Sequence, residues 1–203
     1  LDAKISILID QGANSYVHIY EKRGDLLPGY ANFIEPAKEE ILIIGINSET
    51  TIGLYLEHLR VKAEEKCSVK FLLMSPRENG NINPVVEKTA KTIGRDPERL
   101  LTSIEENLDR LLAFKKTLSK EANDRVEVKT YSVVGTFAVL SVDGHRSYGK
   151  ILIGFYPYWI SSLDFWPLLE FRPLGGKRGF YEFLYDRYKK MYDDSLRWPS
   201  QKT

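Results

Sequence analysis

Asp143, His145 and Arg146 stand within one short stretch, a close grouping of side chains able to move a proton and hold an anion. An imidazole oriented by a carboxylate can act as a general base, and a guanidinium can pair with a phosphoester oxygen. The same residues sit beside Gly144 after an apolar run, so a solvated polar turn is the competing reading and the favoured one. The other histidines, His18 and His58, form no pair at ligand spacing, and zinc finds no support. Cys67 is the single cysteine and reads as a small, semi-buried residue. No phosphate-binding Gly-x-x-x-x-Gly-Lys-Ser/Thr loop occurs, and Gly45 alone does not make a dinucleotide fingerprint, so neither cofactor nor metal is expected. The segment Gly175-Gly176-Lys177-Arg178-Gly179 could present an anion site at a helix start, but a flexible connection explains it more simply.

Those groups need a scaffold, and composition bounds it. The 203 residues are 43% hydrophobic and 28% charged, which suits one ordinary folded domain over residues 1–203. Lys and Arg number 29 against 28 Asp and Glu. A net charge of +1 supplies no global attraction to polyanions, so nucleic acid is expected to be an unlikely partner. No apolar run approaches the roughly 18 residues of a membrane span, and no secretory leader appears. A cytoplasmic location is the expectation. The chain opens on Leu1 and reads as a fragment whose upstream domain carries part of the function.

Residues 5–20 suggest a short helix and then an extended piece. Residues 28–40 suggest a helix with Tyr30, Phe33, Ile34 and Ala37 on one face and an irregularity at Pro36. The continuous apolar run Ile41–Ile46 predicts a strand buried on both faces of a parallel sheet. Ser48 or Thr50 can cap the helix that follows over 51–65, and Ser68–Met74 is the next strand, giving a strand-helix-strand crossover. Helices are expected over 85–93 and 97–120, strands over 126–131, 136–142 and 150–155, a further strand over 167–172, and an aromatic helix over 180–198. The dense aromatic segment 155–166 reads as core and rim, or else as an interaction surface.

This order, with Ala-Lys-Glu-Glu-Ile-Leu-Ile-Ile-Gly at 37–45 and Val-Lys-Phe-Leu-Leu-Met at 69–74, resembles the phospholipase D-like fold, in particular its single-motif prokaryotic members. Thr136, Ala138 and Asp143 occupy the spacing of that family's His-x-Lys-x4-Asp motif. The resemblance implies a nucleophilic histidine, a phosphate-stabilising lysine and an orienting aspartate. Here the first two are threonine and alanine, which can neither attack phosphorus nor neutralise charge. The family's Gly-Ser-x-Asn element also fails beyond Gly154, because Phe155 and Pro157 take the Ser and Asn places. The expected architecture is therefore α/β, a mixed and mostly parallel sheet flanked by helices.

Ligands of open α/β sheets gather at the carboxyl ends of parallel strands. That rule nominates Asn47, Ser48, Ser75, Arg77, Tyr131 and Thr136 as the wall of a pocket, with Asp143 added from the motif and Arg77 as the only cation. The expected function is a noncatalytic module that binds a small ligand or protein partner. The alternatives are a phosphodiesterase with substituted chemistry at Asp143, His145 and Arg146, and a nucleic-acid binder. Single-motif relatives resemble half of a bilobed enzyme, so a homodimer is a further expectation.

Overall fold

The computed structural model describes residues 15–20, 29–156, 167–174 and 179–199. In chain order the elements are β1 (Ser15–Tyr20), α1 (Tyr30–Ile34), β2 (Glu40–Gly45), α2 (Glu49–Leu54), α3 (Leu56–Glu64), β3 (Ser68–Met74), β4 (Arg77–Glu78) and β5 (Asn81–Ile82). They continue with α4 (Pro84–Ile93), α5 (Pro97–Lys116), α6 (Lys120–Arg125), β6 (Val126–Tyr131), β7 (Phe137–Val142), β8 (Lys150–Phe155), β9 (Leu168–Pro173), α7 (Phe180–Asp193) and β10 (Leu196–Arg197). Eight strands form one sheet in the order β1-β9-β8-β7-β2-β3-β6-β10, and β4 and β5 form a separate hairpin.

The sheet is mixed and flanked by helices, as expected, but its balance is antiparallel. Only β2 with β3 and β3 with β6 are parallel, while β7 runs against β2 and the strands outward from β7 alternate. Apolar runs such as Ile41–Ile44 and Ile151–Ile153 are buried on both faces in either orientation, so their composition reports burial and not direction. The two parallel steps are crossovers of one hand, which place α2 through α6 on one face. The other face is covered by α7, whose Tyr181 and Tyr192 are buried.

Several elements differ from the sequence expectation for local reasons. The first helix ends at Ile34, just before Pro36. Ser48 precedes α2 in a left-handed conformation (φ 51°) and its side chain makes no capping bond. Tyr55 divides the expected helix into α2 and α3. The long helix stops at Lys116, after which Ser119 caps α6 by accepting from the Ala122 N–H at 3.2 Å. The aromatic helix stops at Asp193, and β10 pairs with β6. Most of the stretch 155–166 and of the glycine-rich loop 175–179 lies outside the described residues, as do residues 5–14.

Asp143 ties the middle of the sheet together. It leaves β7 at φ 47° with its side chain buried, and its carboxylate accepts from the backbone N–H groups of Lys38 (2.9 Å), Glu39 (2.8 Å) and Glu40 (2.8 Å). Beneath α7 a second polar group is enclosed: Glu40 pairs with Lys70 and accepts from the Tyr185 hydroxyl at 2.9 Å. Tyr192 donates to Glu127 at 3.1 Å, and the Lys129 ammonium donates to the Tyr192 carbonyl at 2.9 Å. No helix among the described residues is long and apolar enough to cross a membrane.

Two outcomes follow from this packing. Asp143→Ala removes a buried charged acceptor from three backbone donors, that of Glu40 buried and those of Lys38 and Glu39 part-buried, and is expected to lower unfolding free energy by roughly 3 kcal/mol, read from urea denaturation. A midpoint unchanged by the substitution would show that the tie is not stabilising. Burial pushes the α7 tyrosines above their ordinary range, Tyr188 up to about 12, with Tyr185 and Tyr192 also raised, by burial first and then by Glu40 and Glu127. The unfolded chain then loses those protons first, so stability is full below about pH 10 and falls as pH rises through the folded-state values. Denaturation midpoints measured from pH 8 to 12 should decline in the upper part of that range.

Candidate ligand site

The carboxyl end of β2 opens into a cavity of about 80 Å³ on the face that carries α1, α2, α4 and α5. Its floor is apolar. Cross-strand register puts Ile43, Leu140 and Leu152 in one row, and Ala138, Gly154 and Leu168 in the next. The small residues make the space. A β-carbon added at Gly154 would come within 2.7 Å of Leu168 Cδ2, and Ala138 beside it projects only a methyl group.

Polar groups stand around the mouth. The Tyr30 and Thr51 hydroxyls share a 2.8 Å hydrogen bond that joins α1 to α2. Asn47 donates to the Ser103 hydroxyl at 2.8 Å, which fixes the loop after β2 to α5. Ser48, Glu49, Arg95 and Tyr156 complete this side. The left-handed turn at Ser48 is an uncommon conformation for a residue with a side chain, held by the surrounding structure. Among the described residues no histidine or lysine lines the cavity.

Of the nominated wall, Asn47 and Ser48 line the cavity, and the remaining residues are placed elsewhere. Arg77 lies on β4 at the surface and pairs with Glu105 at 2.6 Å, so its charge is engaged with α5. Ser75 turns its hydroxyl to the Arg77 carbonyl at 3.1 Å. Tyr131 is buried with its hydroxyl under Gly135, and burial pushes that hydroxyl far above its ordinary value. Thr136 is half-buried next to the rim, where its carbonyl accepts from the Tyr156 N–H at 2.8 Å. Asp143 belongs to the opposite end of β7, next to the start of β2, and its oxygens are taken by backbone. Sequence reasoning missed Arg95, Tyr30 and Thr51. Arg95 lies between the left-handed Gly94 and the cap of α5, a helix stop-and-start signal that says nothing of a cavity.

The grouping of Asp143, His145 and Arg146 does not form a base and its orienter. His145 Nε2 lies 2.8 Å from a carboxylate oxygen of Glu39, and Arg146 pairs with the same carboxylate at 2.7 Å. Hydrogen bonds from Arg146 and then His145 hold the Glu39 carboxyl below its ordinary range. The Asp143 side chain is turned inward, away from this exposed cluster. Among the described residues no group of three His, Cys, Asp or Glu could hold a metal ion. Cys67 is buried and its thiol is pushed up to about 12, mainly by burial.

With this geometry the fold is an α/β fold of the phospholipase D-like kind. No family model and no curated protein matches the chain. Among solved structures, NucT from Helicobacter pylori aligns with 91% of this chain and 99% of its own at a TM-score of 0.52 and 12% identity. TrmBL2, an archaeal chromatin protein whose structure is described as showing a novel mode of DNA binding, aligns with 88% of the chain at a TM-score of 0.52 and 9% identity. The chain spans about half of that protein, 53% of its length. Nuc from Salmonella typhimurium, a phospholipase D family member, aligns with 92% of the chain and 99% of its own at a TM-score of 0.45 and 10% identity. Identities this low speak for fold and not for chemistry. They do correct one expectation: nucleic acid does not stand as an unlikely partner, since this fold occurs in a DNA-binding protein and near-neutral net charge does not exclude the class.

Because His145 and Arg146 form an exposed cluster with Glu39, His145→Gln is expected to change unfolding free energy by less than about 1 kcal/mol. A larger loss in a urea titration would mean that the cluster holds the β7–β8 connection in place.

Proposed function

We propose that this chain is a noncatalytic phospholipase D-like module that binds a small molecule in the strand-end cavity and passes its occupancy to a neighbouring domain. In this reading the His-x-Lys-x4-Asp motif has degenerated to Thr136, Ala138 and Asp143. One observation carries it: the cavity lies over Ala138 and Gly154, where the family's chemistry would sit, yet its floor is apolar and among the described residues neither histidine nor lysine lines it. A phosphoryl group placed there would lack both an attacking nitrogen and the lysine that stabilises its oxygens. Asp143 is held by the scaffold and not by a ligand.

A thermal-shift survey of small metabolites should raise the melting temperature of the natural chain, and Ala138→Leu, which fills the floor, should remove that response. Turnover of bis(p-nitrophenyl) phosphate that is lost in His145→Gln would overturn the noncatalytic reading and favour the substituted phosphodiesterase.

A second reading, nucleic-acid binding, is favoured by the fold shared with the chromatin protein. It expects fluorescence anisotropy with duplex DNA to show an affinity that falls steeply as salt rises. No binding at low salt removes it.

A further inference from the structure

Two charges of opposite sign stand at the mouth of the cavity without pairing with each other. Arg95 is half-buried, and among the described residues its guanidinium forms no ion pair or hydrogen bond. Glu49 is exposed, and its carboxylate receives only a long contact from the Asn47 amide at 3.4 Å. Three other arginines are engaged in ion pairs, Arg77 with Glu105, Arg146 with Glu39 and Arg172 with Glu170. A guanidinium at the edge of an apolar space is available to pair in bidentate fashion with a planar anion that enters it.

Size narrows the occupant. About 80 Å³ holds several water molecules or a short hydrocarbon group, well below the roughly 300–1,000 Å³ of a drug-sized pocket. A nucleotide or an extended chain could not be enclosed. Ile43, Leu140 and Leu152 offer no hydrogen bond to whatever reaches the floor, so that part of the ligand is apolar.

We infer that the cavity takes a small zwitterion with an apolar side chain, an α-amino acid of the leucine or valine type. Its side chain rests on the floor formed by Ala138, Gly154 and Leu152, its carboxylate pairs with Arg95, and its ammonium faces Glu49. This rests on the cavity reading above and adds the chemical class of the ligand. A simple carboxylate leaves Glu49 unused, and a simple amine leaves Arg95 unpaired, so both bind less well than the zwitterion.

Calorimetric titration of the purified chain with L-leucine, 4-methylpentanoate and 3-methylbutylamine tests this. Leucine should bind, and each analogue lacking one charge should bind about tenfold or more weakly. Arg95→Gln should weaken leucine and 4-methylpentanoate alike, while Glu49→Gln should weaken leucine and the amine but leave 4-methylpentanoate unchanged. Both variants should keep the natural circular dichroism spectrum, since neither side chain supports the core. The inference is overturned when leucine does not bind, or when both variants bind leucine as well as the natural chain. A neutral or singly charged compound whose binding is abolished by Ala138→Leu would sink the zwitterion and leave the cavity reading standing. Silence from these compounds and from the whole metabolite survey would bring down both.

Discussion

The carboxylate of Asp143 accepts three consecutive backbone N–H groups where β2 begins, and the centre of the sheet is organised around that tie. Residues 38–40 have just left α1 and Pro36, and the chain passes there from the surface at Lys38 to the buried Glu40, whose N–H would otherwise be left unsatisfied. The side chain that satisfies them comes from the end of the neighbouring strand, 103 to 105 positions further on. The bond therefore fixes register between β2 and β7 as well as local conformation, because a shifted pairing would carry the carboxylate away from the three donors. The Asp143 N–H closes the same corner by donating to the Glu40 carbonyl at 2.8 Å.

This gives a physical reason for an aspartate at position 143 that needs no reaction. Its work is at the opposite end of β7 from the cavity and does not depend on any reaction. The two ends of β7 thus do different jobs. One end of β7 keeps the sheet in register, and the other forms the floor of a space that apolar side chains have occupied.

Much of the scaffold was legible because burial on both faces leaves unbroken apolar runs, as in Ile41–Ile44 and Phe71–Met74. Helix boundaries were legible where chemistry marks them: Asn83 and Asp96 each cap a helix that opens with proline. Strand direction was not, since β7 inserts beside β2 through pairing that no local pattern records. The two-residue β10 carries no period to detect, and Tyr55 gave no sign that it breaks a helix. The site was legible only in part. Asn47 and Ser48 follow a recognisable strand, so a strand-end rule finds them. Arg95 follows a helix and stands 41 positions before Thr136, and the packing of α4 against α5 brings it to the mouth.

The outer strand β1 is paired with β9, joining Ser15 to Pro173 and Tyr20 to Leu168, and the Ser15 hydroxyl accepts from the Tyr181 N–H at 2.9 Å. On a ribosome these partners emerge far apart in time. At ~5–20 residues per second the delay between Tyr20 and Leu168 is on the order of ten seconds. For that interval β1 has none of the neighbours that hold it in the finished sheet, and its hydrogen-bonding edge is open to other chains. The last steps of assembly must therefore be non-local and slow, and the nascent protein is most vulnerable to wrong association just before its final helix arrives.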